Sequence, residues 1–201
     1  SIGYGFSRGG QIIIARRHGE NDVAGLRKAF HALFLFEVVI AFLLFLLIQF
    51  GASYFFDLFV ESKEYYAMCL EYIYPRSYGI FFSYIGVSFI ALYTGIARTK
   101  FILYDTLVLV LVNLFLNYVL IFGHFGFAPM GIAGAAWAST IAEIVAFLVF
   151  VLYMMTDRVA LKFRLFKQFT YDTTVIKNVY AISTPILLQS VLGLGSWFVF
   201  F

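Results

Sequence analysis

The chain has 201 residues, 63% hydrophobic and only 12% charged, with a formal net charge of +3. Soluble domains carry about 25% charged residues, so a soluble globular domain is excluded. The 21% aromatic content excludes disorder, and a single cysteine, Cys69, excludes a disulfide scaffold. What remains is an all-α integral membrane protein, a polytopic helical bundle. Strands fail because the apolar runs are too long and do not alternate with period 2.

A bilayer-spanning helix needs about 20 apolar residues. In chain order the apolar runs predict spans at 1–14, 30–52, 77–97, 101–123, 131–155 and 179–201. The first is short, with no basic leader and no cleavage site, so it is not a signal peptide. The last runs to Phe201 while still apolar. The chain therefore reads as a piece of a longer protein, cut at both ends. The loops at 15–29, 98–100 and 156–178 hold 11 of the 14 basic residues. These are alternate loops, and the positive-inside rule makes them cytoplasmic. Helices one, three and five then run inward. The expected location is the inner (cytoplasmic) membrane, multi-pass.

The loop at 124–130, with Gly126 and Pro129, predicts a tight external turn. The long basic segment at 156–178 places Leu161, Leu165, Phe166 and Phe169 near helical spacing. It reads either as an amphipathic surface helix or as a solvated linker. In both cases it divides residues 1–155 from 179–201. The segment at 53–74 is expected to hold a second surface helix, with Tyr65, Tyr66, Tyr72 and Tyr74 in an interfacial belt.

Ionisable residues inside spans cost at least ~2.5 kcal/mol each on insertion scales and call for an explanation. Arg8 and Glu37 lie at matching depths of about 10 Å on consecutive antiparallel helices. They are expected to form a buried ion pair, either as helix glue or as a gate or proton site. Asp105 is close enough to the inner surface to snorkel toward Lys100 or Arg98. Glu143 lies mid-span with no basic residue in its own helix; it is either a functional carboxylate or a neutral acid bonded to a neighbour. Arg76 falls at a span edge.

Asn113 and Asn117 are one helical turn apart and share a face. Reflection through residue 127 brings them level with Ser139 and Thr140. These four polar groups suit interhelical hydrogen bonding, or coordination of a cation or a proton relay. Small residues at Gly5 and Gly9, at Gly79 and Ser83, and from Gly131 to Ser139 mark close helix contacts. Pro185 predicts a kink in the last span. No nucleotide-binding, serine-hydrolase or zinc signature is present, and His18, His31 and His124 are scattered. No cofactor, metal or nucleic-acid partner is therefore expected, and the chain is not expected to be an enzyme.

Two stretches carry a resemblance. The first is Gly9-Gly10-Gln11 leading to Ala15-Arg16-Arg17-His18-Gly19-Glu20-Asn21-Asp22. The second runs from Asn113 to Gly123 and on through Gly126-Phe127-Ala128-Pro129-Met130-Gly131 to Ala136. They resemble the multidrug and toxic compound extrusion family, and Thr184-Pro185 resembles the start of that family's seventh helix. The resemblance implies helices two to seven of a two-lobe, twelve-helix transporter. On it, residues 1–155 are the N-terminal lobe, 156–178 the inter-lobe linker and 179–201 the truncated first helix of the second lobe. It further implies an antiporter that exports cationic or amphipathic drugs on a proton or sodium gradient by alternating access. Its partners would be the bilayer, small organic cations and the second lobe of the full-length protein. Asn113, Asn117, Ser139, Thr140 and Glu143 become substrate or ion pathway residues. Many members carry an aspartate where this chain has Asn117, and the first helix, often acidic, lies outside the chain. Two alternatives remain: a related lipid-linked oligosaccharide flippase, and a non-transport membrane subunit or membrane-embedded enzyme.

Overall fold

The computed structural model describes residues 2–163, 165 and 172–200. Among the described residues seven helices follow one another: α1 (Ile2–Gly19), α2 (Val23–Phe59), α3 (Lys63–Gly95), α4 (Lys100–Phe122), α5 (Gly131–Thr156), α6 (Arg158–Phe163) and α7 (Thr173–Phe200). Among the described residues, α2 to α5 are long and apolar enough to cross a membrane. The predicted α4 and α5 agree with the structure to within a residue. The others extend well past their apolar runs. At 1.5 Å per residue, the 37 residues of α2 and the 33 of α3 span roughly 55 and 50 Å, longer than a hydrocarbon core of about 30 Å. The segment at 53–74, expected to hold a surface helix, is instead divided between the end of α2 and the first part of α3. Helix α3 continues through Pro75, which the sequence reading had left outside the span.

Local chemistry sets the helix ends. Asn21 adopts a left-handed φ of 56° after α1, and Asp22 then caps α2, its Oδ1 accepting the Gly25 amide at 2.8 Å. At the end of α4, Gly123 takes φ 75°, which glycine adopts without steric cost. The Met130 amide donates to the Leu120 carbonyl at 2.9 Å and closes the α4–α5 turn.

The chain forms two compact units. The first comprises Ser1–Val38, Ile85–Ile102 and Leu152–Phe201. Its core joins Phe6, Ile14, Leu26, Phe30, Leu33, Leu92 and Tyr93, all 1% exposed or less. Phe30 and Phe34 stack on Phe89. Helix α7 packs against α1, where the Ser183 hydroxyl donates to the Phe6 carbonyl at 2.9 Å. Gly9 makes this approach possible: a Cβ there would collide with the Ser183 hydroxyl and lie 2.8 Å from its Cα. The last helix therefore has a bundle partner inside this chain. Within the basic 156–178 segment the described residues form six-residue α6 and the start of α7, which begins at Thr173, six residues earlier than predicted. Leu161 is exposed and Leu165 is buried, so they do not share one apolar face; Phe166 and Phe169 lie outside the described residues.

The second unit comprises Val39–Tyr84 and Leu103–Val151. Val119, Leu120 and Ala138 form its buried centre between α4 and α5. Tyr78 stacks on Trp137, and Phe82 packs on Phe147. The charges divide unevenly between the units. The first contains 12 basic and 5 acidic residues, the second 2 basic and 6 acidic.

Candidate functional site

The polar side chains of the second unit converge along α5, which carries two lines of them on different faces. One line faces α4. The Asn113 amide donates to the Ser139 hydroxyl at 3.1 Å, and the Asn117 amide donates to Asn113 Oδ1 at 2.9 Å. Three of the predicted cluster residues are thus brought together as one chain of hydrogen bonds. Both Asn113 and Ser139 use their groups within this chain. Asn117 Oδ1 is buried and accepts no hydrogen bond. A buried oxygen without a donor is costly, and it is the natural ligand for a cation, a water or a proton donor.

The other line faces α3. Thr140, fully buried, donates to the Pro75 carbonyl at 2.9 Å instead of joining the asparagines. Neighbouring helix positions point about 100° apart, so Ser139 and Thr140 address different helices. One turn along, Glu143 meets Arg76 in a bidentate pair, with both N–O distances 2.6 Å. Their side chains are 13% and 22% exposed. Gly79 lies against both partners: a Cβ there would collide with Glu143 Oε2 and lie 3.0 Å from the Thr140 Cα. Arg76, expected at a span edge, thus supplies the partner that Glu143 lacks in its own helix, and Glu143 is ion-paired rather than a neutral acid. The signal for this in the sequence is the spacing Arg76-x-x-Gly79 on α3, a charge with a gap beside it at i, i+3, across from the mid-span Glu143. Farther along α3, Gln49 donates to the Ser77 hydroxyl at 2.9 Å, and Ser53 bonds the Tyr74 hydroxyl at 2.7 Å.

The expected Arg8–Glu37 ion pair does not form. Glu37 is fully buried and both its oxygens lack hydrogen-bond partners. Arg8 is exposed on the α1 stripe that also presents Tyr4 and Ile12, whereas Phe6, Gly9, Gly10 and Ile13 face inward. The two residues match in depth but differ in direction around the helix. Asp105 likewise does not snorkel to the surface: it is 9% exposed, and its Oδ1 has no partner. Pro185, the predicted kink position, lies inside α7.

In the first unit, charged groups tie loops to helices. Asp157 accepts the Tyr93 hydroxyl at 2.9 Å and Arg98 at 3.2 Å. Lys28 pairs with Asp172 at 2.9 Å. This lysine, with the Thr174 and Val175 amides that also donate to the carboxylate, holds Asp172 below the usual carboxylate range. The Arg16 hydrogen bond, with Arg17 beside it, does the same for Glu20. No cluster of three metal-ligating side chains occurs among the described residues.

The helical membrane architecture goes with a match to the MatE family model over residues 1–119, more than half of the chain. The chain belongs to this family. MatE proteins are transporters, not enzymes. A relative from Agrobacterium fabrum, "Probable multidrug resistance protein NorM", is 28% identical over 92% of this chain and 40% of its own length. The chain thus spans less than half of that curated relative. Two solved structures share the fold. An outward-facing multidrug resistance MATE family transporter of the MOP superfamily superposes with a TM-score of 0.83 at 16% identity, over 94% of this chain and 41% of its own. An inward-facing one superposes with a TM-score of 0.80 at 17% identity, over 93% and 42%.

Proposed function

We propose that the full-length protein is a secondary antiporter exporting cationic or amphipathic organic compounds, driven by a proton or sodium gradient through alternating access. In this reading residues 1–155 belong to the N-terminal lobe, 156–178 link the lobes, and 179–201 open the second lobe. The basic loops 15–29, 98–100 and 156–178 face the cytoplasm of an inner membrane. Asn113, Asn117 and Ser139 line the ion or substrate pathway, with Thr140 and Glu143 supporting it from the α3 side of α5. Arg8 and Pro185 stand outside the pathway.

One observation carries the proposal: the hydrogen-bonded chain from Ser139 to Asn117 ends on a buried oxygen with no donor. Such an end accepts a cation or a protonated group, and transporter sites are commonly built near mid-membrane from polar groups of this kind. The acidic balance of the second unit, six acids against two bases, supports an organic cation over the anionic lipid-linked substrate of a flippase.

The test uses the full-length protein in proteoliposomes, with proton and sodium gradients imposed separately and a fluorescent organic cation as cargo. Export that follows one gradient, and that falls at least tenfold in Asn117→Ala, is expected. Absence of gradient-dependent export of any organic cation tried would overturn the reading.

A further inference from the structure

A second site lies in the first unit, well apart in sequence from the α4–α5 seam. A cavity of about 200 Å³ opens where α1 ends, α2 begins, α3 ends and α6 passes. Three cations from three separate segments reach it: Arg17, Arg98 and Lys162. Its apolar wall is built by Val23, Leu26, Ile96 and Phe163. It is smaller than the roughly 300–1,000 Å³ of drug-sized pockets, which sets it apart from a cargo site.

The acids at this cavity, Asp22 in its lining among them, orient its cations and leave donors to spare. Among the described residues Arg17 uses only Nη1, shared between Glu20 at 3.1 Å and Asp22 at 3.3 Å. Asp22 is in turn the cap of α2, where the helix N-terminus offsets its charge. Among the described residues Arg98 uses only Nη1, on Asp157, an acid whose side chain is 7% exposed and is also held by the Tyr93 hydroxyl. Lys162 meets no carboxylate among the described residues. Two guanidinium groups held in place by carboxylates, with their remaining N–H groups unused, lose little freedom on binding an anion. A third cation, Lys162, with no carboxylate partner among the described residues, adds the charge that the two arginine pairs have balanced.

We propose that this cavity binds a phosphate-bearing anion, with Arg17, Arg98 and Lys162 as its donors and the apolar wall against the carbon moiety beyond the phosphate. The shared chemistry is a phosphate ester carried by an anionic phospholipid headgroup or a free phosphate. The helix ends that form the cavity belong to the unit with 12 basic residues. Basic pockets between membrane helices on the cytoplasmic side are recognised sites for such headgroups. The inference does not depend on transport.

The test takes the full-length protein into nanodiscs of phosphatidylcholine with and without phosphatidylglycerol, and counts retained lipid by native mass spectrometry. In parallel, inorganic phosphate is titrated against the protein in detergent. Lys162→Gln is the test variant because the Lys162 side chain makes no hydrogen bond or ion pair among the described residues; Lys63→Gln, a basic residue of the other unit, is the control. Preferential retention of phosphatidylglycerol that falls about fivefold in Lys162→Gln and not in Lys63→Gln supports a lipid headgroup. Phosphate binding in detergent with the same variant dependence, and no lipid preference, supports the free anion. Equal retention of both lipids together with no phosphate binding overturns the site. So does a preference that Lys162→Gln leaves intact.

Discussion

Removing Glu143 should be the most damaging single change to the second unit. Glu143→Leu leaves Arg76 in a place where only 22% of its side chain reaches the surface. An exposed pair contributes about 0–1 kcal/mol, while orphaning one member of a buried pair costs about 3–5 kcal/mol. This pair lies toward the buried limit, is bidentate, and is tied to a neighbouring contact through Thr140 and the Pro75 carbonyl. A loss of about 3 kcal/mol is therefore expected, roughly a 150-fold shift in the folding equilibrium. Replacing both partners by apolar residues of similar volume, Arg76→Met with Glu143→Leu, should recover most of that loss, because neither charge is then left buried. The assay is equilibrium unfolding of the full-length protein in mixed micelles, run as a double-mutant cycle. A coupling of about 2 kcal/mol or more is expected. Strictly additive losses, with the double variant as weak as the sum of the singles, would refute the account of α3–α5 cohesion.

Three further outcomes follow from the same geometry. Gly9→Ala should cost about 1–3 kcal/mol in the same unfolding assay, because the new methyl meets the Ser183 backbone, which cannot move aside without separating α1 from α7; unchanged stability would count against that contact. Asn117→Asp puts a titratable group at the end of the asparagine chain, and export by the full-length protein should become pH-dependent through this position; identical pH profiles in the two proteins would remove Asn117 from the pathway. Asp172 has its folded value depressed, so its contribution is complete above the ordinary aspartate value of about 3.8 and is lost as pH falls through the lower folded value. Hydrogen exchange at the Thr174 and Val175 amides should therefore stay slow down to that value and quicken below it, and Asp172→Asn should abolish this pH dependence.

Much of the membrane architecture was legible in the chain itself, and the misses have physical causes. Helices α4 and α5 were readable because their apolar runs stop at a glycine- and proline-containing turn, so run and helix coincide. Helices α2 and α3 were under-read because hydropathy marks only the lipid-spanning part of a helix that continues into the aqueous boundary. Pro75 and Arg76 look like a helix end in sequence. In the structure the helix passes through them, with the Thr140 hydroxyl on the Pro75 carbonyl and Glu143 on Arg76. The Asn113–Asn117–Ser139 chain was accessible from i, i+4 spacing and hairpin reflection. The Arg8–Glu37 pair expected from matching depth does not form, because depth is a one-dimensional coordinate and contact also needs the correct face. Phe6, Gly9, Gly10 and Ile13 already define the inward face of α1, and Arg8 is not on it.

The turn between α4 and α5 bears on biosynthesis. Residues 124–130 contain no lysine, arginine, aspartate or glutamate. The turn is closed by its own backbone, through Gly123 to Val119 and Met130 to Leu120. A segment with no charge to dehydrate and few free amides is inexpensive to carry across a bilayer. The flanking helices also touch where Gly134 meets the Leu120 carbonyl, with room there for no side chain at all. Such a pair can leave the ribosomal exit channel and enter the lipid as a single hairpin, with the Asn113–Ser139 bond forming as the hairpin closes and before α7 is made.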